Sequence, residues 1–288
     1  MDNRIGIIGG SGVYSFENVD DMVRIEVETP FGKPSASLTL AEFDGIPLAF
    51  LPRHGEGHHL SPSEVPYAAN IYAMKKMGVR QLISVSAVGS LQEKYEPRDF
   101  VIPDQLYDRT KGIRRATFFG GGIVGHIGFG KPFCRELSEK LHAAAVKAGV
   151  TVHRGGTLVC MEGPAFSTRA ESMVYRSQGH AIIGMTALPE AKLAREAGIC
   201  YATLGMVTDY DVWHETEGDV TVEVIMENMK VNTVRARRTL ELVLETLDPS
   251  KTLCDCYGGM DGMANSIITA PEQRAFLAME NLKVVLER

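Results

Sequence analysis

The stretch AIIGMTALPEAKLAREAGICYATLGMV, residues 181–207, decides the fold. Ala181 to Met185 is a short continuous apolar run, the pattern of a strand buried on both faces. Pro189 to Ala197 reads as a helix that opens on a proline, and Ile199 to Val207 as the next buried strand. The same alternation runs outward from there. Thr157 to Met161 reads as a strand, and Thr168 with Glu171 forms a capping box for a helix that Gly179 ends. Phe133 to Ala148 carries Leu137, Leu141, Ala144 and Ala148 on one helical face and closes at Gly149. Further back, Ile5 to Ile8, Ile46 to Leu51 and Gln81 to Val88 read as strands, the last ending at Gly89-Ser90. Between the last two, Ser61 and Glu64 form a possible capping box before a helix over Tyr67 to Met77, and Gly78 supplies the stop. Two helices, about Val222 to Thr246 and Pro271 to Glu287, finish the chain. Strands alternating with glycine-closed helices predict an α/β fold, with a largely parallel or mixed sheet and helices on both faces. Ligands gather at the carboxyl ends of strands in such folds. Most polar segments of interest fall there: Gly9 to Gly12, Arg53-His54, Ser86-Ala87, Met185-Thr186 and Thr208 to Asp211.

The composition narrows the class. Hydrophobic residues make up 44% and charged residues 23%, which suits a globular enzyme and excludes a disordered chain or a coiled coil. Over 288 residues, with no linker, repeat or low-complexity stretch, one domain spanning 1–288 is the default. A net charge of -6 without any Lys/Arg run argues against nucleic acid or an anionic membrane as the main partner, and favours small molecules. The N-terminal apolar run is too short for a signal peptide, and no stretch approaches the ~20 apolar residues of a membrane span, so a cytoplasmic location is expected. Five cysteines are too few and too scattered in sequence for a disulfide scaffold. Cys254-Asp255-Cys256 is the one tight pair. It lacks the second CxxC or His pair of a zinc motif, and inert buried thiols are the expectation.

Taken singly, the polar motifs leave alternatives open. Gly9-Gly10-Ser11-Gly12 after a strand fits a cofactor loop, an inorganic phosphate loop or a plain tight turn, and its spacing misses the full dinucleotide fingerprint. Arg53 matches a tetrahedral oxyanion in bidentate fashion, with His54 as a neighbouring donor, although a surface Arg beside a satisfied His is the commoner pairing. His58 and His59 share the loop but lack converging partners for a metal. Asp209 and Asp211 stand two apart on one side of an extended segment, able to bind metal, cap a helix or grip a base edge. Adenine shows an acceptor at N7 and a donor at its 6-amino group, which one protonated and one ionised carboxyl match; a 6-oxopurine suits Asn better. Phe166-Ser167 gives an aromatic face and a hydroxyl beside a helix start, or packing plus an N-cap.

Together these segments resemble the methylthioadenosine phosphorylases, within the trimeric purine nucleoside phosphorylase family. The likeness runs through GIIGGSGVY, FGKPS, LPRHG, NIYAMK, SAVGSL, DFVIPDQ, DRT, MEGPAFSTRAES, GMTALPEAKLAREAGICYA and TDYDVWHE, over about the first 230 residues. It implies a single-domain fold whose central mixed sheet, a distorted barrel, is flanked by helices. It also implies phosphorolysis of 5'-methylthioadenosine to adenine and 5-methylthioribose 1-phosphate, a purine and methionine salvage step, in a cytoplasmic homotrimer or stacked hexamer. No cofactor or metal is implied, inorganic phosphate being a co-substrate. Residue by residue, Ser11, Arg53, His54, Ser86 and Thr186 would hold phosphate, with Ala87 lining the same pocket. Met185 would contact ribose and Phe166 would stack near the nucleoside. Asp209 and Asp211 would hold adenine, Asp209 as the acid at N7, while Ser167 and Val222 stand where base and 5'-group preference are tuned. His126 would reach the 5' end across a subunit boundary. Val212 departs from the usual Cys, Arg98 from the commoner Gly, and the CxC resembles an element of some heat-stable members. The rival readings are the same chemistry on a 6-oxopurine such as inosine, guanosine or methylthioinosine, a dinucleotide-dependent dehydrogenase, and a catalytically silent nucleoside sensor.

Overall fold

The computed structural model describes residues 3–10, 12, 19–214, 222–251, 254, 256 and 259–287. Its strands are β1 (Arg4–Gly9), β2 (Val19–Ile25), β3 (Leu38–Phe43), β4 (Ile46–Pro52), β5 (Val79–Ser90), β6 (Phe100–Ile102), β7 (Gln105–Arg109), β8 (Val152–Arg154), β9 (Thr157–Met161), β10 (Ile182–Gly184) and β11 (Cys200–Asp209). The helices are α1 (Tyr67–Lys76), α2 (Arg135–Lys147), α3 (Arg169–Ser177), α4 (Ala187–Glu196), α5 (Val222–Leu244) and α6 (Phe276–Leu286).

All eleven strands join one mixed sheet that branches at β5. The order β4-β1-β5 is parallel, and β11 lies parallel to β5 on its other edge, so the carboxyl ends of these four strands come together. On its first edge β5 pairs with β1 over Val79 to Ser84, and then with antiparallel β10 at Gly89 and Ser90. Val85 to Val88 are left between these two partners. Because β10 runs against β5, it returns Met185 and Thr186 towards Ser86.

Alternation along the strands builds a core on each face. Ile5 and Ile7 of β1 join Ile83 and Val85 of β5 in one cluster with Leu137 and Leu141 of α2 and Leu240 and Val243 of α5. Ile8 and Leu82 face the other way, into a cluster with Ile71 and Met74 of α1, Leu193 of α4 and Leu282 of α6. Two helical layers therefore enclose the sheet, as the alternating pattern requires.

The starts of α1 at Tyr67 and of the regular part of α4 near Pro189 agree with the sequence reading, whereas the cap before α1 and the start of α6 depart from it for local reasons. Ser61 and Glu64 do close a turn, with the Ser61 N–H donating to Glu64 Oε2 at 3.0 Å. That turn does not cap the helix, which begins at Tyr67 as read, directly after Pro66, a residue that makes no side-chain cap. In α4, Leu188 is non-helical at φ -120 and ψ 136, so the regular helix starts near Pro189. The Pro271 segment is a short 3₁₀ turn at Pro271–Gln273 before α6. Strands β2, β3, β7 and β8 lack the continuous apolar runs that mark the buried ones and lie towards the margins of the sheet, while β6 is apolar and buried but only three residues long.

The Thr168 box forms in full, both reciprocal bonds being present. Replacing an N-cap Thr by Ala costs about 1 kcal/mol. Thr168→Ala should therefore lower the free energy of unfolding by that amount, seen as a lower urea midpoint with an unchanged slope, measured by far-ultraviolet circular dichroism.

Candidate active site

Arg53 leaves the end of β4 and turns inward, and its side chain fills the opening between β1 and β10. It is 2% exposed. A cation so enclosed needs a counter-charge and a partner for every donor. Glu190 of α4 supplies the first: its Oε2 accepts from Nε at 2.7 Å and its Oε1 from Nη2 at 3.0 Å. The remaining N–H groups reach Val85 O at 3.1 Å, Ile8 O at 3.3 Å, Ser84 Oγ at 2.6 Å and Ser86 Oγ at 3.3 Å. The carbonyls left by the divergence of β1 from β5 are thus satisfied by a side chain. Burial opposes the charge of Arg53, but the pull of Glu190 outweighs it and holds the guanidinium protonated.

The two-pronged face that the sequence reading offered to a tetrahedral anion is therefore taken by Glu190. What Arg53 presents to the cleft is its Nη1 edge, beside Ser86. The Ser86 hydroxyl lies 3.3 Å from Thr186 Oγ1, so the returning strand places two hydroxyls and a guanidinium edge together. Ala87 is exposed next to them.

His54 follows Arg53 into a loop folded by its own backbone: Gly55 N–H donates to Pro52 O at 3.0 Å and Leu60 N–H to His54 O at 3.1 Å. Gly55 has φ 75, a left-handed conformation that favours glycine, and a Cβ there would also press on the exposed ring of His59. His54 Nδ1 lies 2.8 Å from Leu60 O. A carbonyl only accepts, so Nδ1 carries the hydrogen and Nε2 of the neutral ring is an acceptor. Burial, then the neighbouring Arg53, pushes the His54 pKa down to about 4. The ring stacks on His58 at 4.2 Å between centroids.

At the end of β11 stand Asp209 and Asp211. Asp209 accepts from the Thr208 hydroxyl at 2.7 Å and from the Asp211 N–H at 2.8 Å. Burial raises its pKa against those two bonds. Asp211 is 6% exposed and left-handed at φ 50. Burial, opposed by the neighbouring Ser172 and Ser167 hydroxyls and reinforced by the charge of Asp209, pushes its pKa up to about 6. Gly89 permits the approach, since a Cβ there would lie 2.9 Å from Asp209 Oδ1. Helix α5 holds the strand end from outside: Asn228 Nδ2 donates to Thr208 O at 2.7 Å and Asn232 Nδ2 to Val207 O at 2.9 Å. Arg98 in turn donates from Nε to Asn228 Oδ1 at 2.8 Å. Its φ of 77 explains why a glycine is commoner at this position.

Other expected residues are more dispersed. Met185 is half-buried beside Thr186, Ser167 is buried with its hydroxyl directed at Met161 Sδ at 3.5 Å, and Phe166 is 43% exposed. Val222 opens α5 with 63% of its surface exposed. His126 is exposed on a loop tied to the C-terminal segment, its N–H donating to Ser266 O at 2.9 Å. Ser11 lies outside the described residues.

Sequence reasoning missed the residues that position the site. Ser35 donates from Oγ to Arg53 O at 2.6 Å and is itself held by Asn70, whose Oδ1 accepts from Ser35 N–H at 2.8 Å. A second enclosed pair, Arg114 Nε to Glu162 Oε1 at 2.9 Å, holds the far side, and Arg114 Nη1 also donates to Met185 O at 2.6 Å. The available signal was Glu190 itself, an acid among Ala187, Leu188, Pro189 and Ala191 in a run whose other members are buried.

The phosphorylase superfamily model matches residues 4–247. The chain belongs to that superfamily. Among curated relatives, it is 54% identical to the S-methyl-5'-thioadenosine phosphorylase of Geobacter sulfurreducens, over 90% of this chain and 91% of the relative. It is 51% identical to that of Gloeobacter violaceus, over 99% of this chain and 95% of the relative. The methylthioadenosine phosphorylase from an antarctic soil metagenomic library superposes with a TM-score of 0.92 at 43% identity, covering 99% of this chain and all of that one. The Schistosoma mansoni methylthioadenosine phosphorylase in complex with adenine gives 0.80 at 37% identity, over 85% and 92%.

Two outcomes follow from the charges in this superfamily member. Losing one partner of an enclosed ion pair costs about 3–5 kcal/mol, because the other is left uncompensated. Glu190→Ala should show that loss in urea unfolding. For Asp211, the native pKa of about 6 lies above the ordinary value of 3.8, so between those pH values the native state holds the extra proton. Its contribution is present below the lower value and is lost as pH rises through about 6. Roughly two units correspond to about 3 kcal/mol. Asp211→Asn should therefore gain about that much stability relative to wild type between pH 4 and pH 7.5, read from paired unfolding curves.

Proposed function

We propose that this chain is a pentosyltransferase that cleaves 5'-methylthioadenosine with inorganic phosphate, releasing adenine and 5-methylthioribose 1-phosphate. The observation that carries the proposal is the placement of two unlike polar sites along β5. Ser86 belongs to the hydroxyl and guanidinium cluster, and Gly89 lies against Asp209. Three residues of strand span about 10 Å, the reach from an anion below a ribose to the far edge of its purine.

Phosphate is held by Ser86 and Thr186, by the Nη1 edge of Arg53, by His54 and by Ser11, with Ala87 lining the pocket. A neutral His54 whose Nδ1–H is engaged offers Nε2 to the P–OH of HPO₄²⁻, so it selects a phosphate that keeps one proton. The Arg53–Glu190 pair brings little net charge, which leaves the dianion strongly nucleophilic. A phosphate oxygen bonds to C1' as the C1'–N9 bond breaks, and that electron pair passes into the purine. The acid pair neutralises it by delivering a proton to N7. The two carboxyls share that proton and titrate as a unit. Burial raises the pKa of both carboxyls, and the bonds that Asp209 accepts oppose this at its own group. As the base binds, Asp209 carries the proton to N7 and Asp211 accepts from the 6-amino group. Met185 supports the ribose and Phe166 covers the nucleoside, while Ser167 and Val222 tune base and 5'-group preference.

Catalysis here is placement and electrostatics, with no resident metal or cofactor required. His126, exposed in one chain, meets the 5' end of the substrate bound by a neighbouring subunit, so the working form is a homotrimer. Stacked trimers would make a hexamer. No helix among the described residues is long and apolar enough to cross a membrane, and the acidic balance leaves small molecules as the partners. A cytoplasmic location fits free thiols at all five cysteines.

Incubation of the pure protein with methylthioadenosine should release adenine only when phosphate is present. Inosine should be the poorer substrate, and the reverse preference would transfer the reading to a 6-oxopurine enzyme. Asp209→Asn should cut turnover of methylthioadenosine by at least about 10²-fold and improve the relative rate on inosine; unchanged kinetics would remove the acid pair from the mechanism.

A further inference from the structure

Four of the five cysteines, distant in sequence, converge where the proposed reaction has no use for them. The Sγ atoms of Cys134, Cys200, Cys254 and Cys256 all lie within 4.8 Å of one another, the only such group of potential metal ligands among the described residues. Cys254 Sγ is 3.4 Å from Cys134 Sγ and 3.3 Å from Cys200 Sγ. These separations far exceed the ~2.05 Å of a disulfide. Together with the 4.8 Å limit on the whole group, they bracket the edge of a tetrahedron around zinc, about 3.8 Å for Zn–S bonds of about 2.3 Å. They are too short for a polynuclear iron–sulfur cluster, whose thiolates bind different metal atoms.

Backbone N–H groups are aimed at two of the sulfurs. Cys134 is the N-cap of the 13-residue helix α2, and its Sγ accepts from Leu137 N–H at 3.5 Å. The helix dipole favours negative charge at that position. Cys254 Sγ accepts from Cys256 N–H at 3.3 Å. Four thiolates this close repel strongly, and a divalent cation removes the conflict.

We propose that Cys134, Cys200, Cys254 and Cys256 bind one structural zinc ion. Binding forms four Zn–S bonds and releases up to four protons, and no electron is transferred. Four protein ligands close the coordination sphere, so no position is open for substrate. The site sits at the amino end of β11, whose Cys200–Asp209 span puts it about 30 Å from the acid pair. Its effect is to staple the chain beyond α5 to the start of α2 and β11. That chain then runs through the 3₁₀ segment Gly259–Ser266 to Ile267, which bridges to Gly125 beside His126.

The test uses the full chain, purified without chelator from zinc-supplemented medium. Elemental analysis should find about one zinc per protomer, and titration in denaturant with a chelator should find all five thiols. Cobalt substitution should give the intense thiolate-to-metal absorption and visible bands of a tetrahedral site. Cys254→Ser/Cys256→Ser should abolish both metal signals and lower the melting temperature, with turnover per folded protomer unchanged. Wild-type protein that holds no zinc and takes up no cobalt overturns the proposal. So does a deficit of titratable thiols, which would mean disulfides, or iron in place of zinc.

Discussion

A guanidinium with almost no exposed surface has no water to share its charge, and the arrangement of this site follows from how Arg53 is accommodated. It stands where β1 and β10 part from the same edge of β5, taking hydrogen-bonding places that a strand would otherwise occupy. Glu190 balances its charge, while Ser84, Val85 and Ile8 absorb donors. Tyr201, whose hydroxyl donates to Glu190 Oε1 at 2.8 Å, extends the network across β11. A buried pair of this kind contributes little net stability against an apolar alternative, but it is costly to break and tolerates few geometries. It therefore acts as a positioning device. With Arg53 locked from Glu190 and from Ser35, the backbone that carries His54 has one course, and Nη1 has one direction, towards Ser86.

The end of the cleft proposed for the base is controlled differently. Asp209 and Asp211 are tuned by burial rather than by an opposite charge, and both are pushed towards the protonated form. This requires a β11 terminus that cannot relax to let water in. Asn228 and Asn232 hold its carbonyls from α5, Arg98 braces Asn228 from a left-handed backbone, and the Trp213 indole N–H donates to Ser90 O at 2.7 Å on the opposite side. The departure at Arg98 shows one bond being exchanged for another: backbone strain there is offset by a side-chain contact that reaches the strand end through a single intermediary.

The two ends of the sheet have separate tasks. Chemistry-bearing groups collect where the parallel strands finish, as the exposed strand ends and helix starts of α/β folds favour. The thiol cluster lies where β11 begins, and it can contribute to stability without altering the electrostatics of the cleft.

Much of this was legible in the chain. The alternation of buried apolar runs with glycine-terminated helices determined the α/β class, because a strand covered on both faces has no other solution. The segments that carry the superfamily likeness include Arg53-His54, Ser86-Ala87, Met185-Thr186 and Asp209 to Asp211, so the candidate site residues were nameable without coordinates. What no reading along one dimension reveals is who meets whom. Glu190 and Arg53 are separated by 137 positions, and only the branching of the sheet at β5 makes them partners. The His54 tautomer depends on a carbonyl six residues on, and the Asp211 pKa on burial beside α3 and β5. Sequence by itself determined the elements and the reactive groups, since local periodicity and residue type are local properties. Tertiary structure alone decided charge state, hydrogen-bond direction and the gathering of four distant cysteines, since these depend on separations through space that the order of residues does not encode.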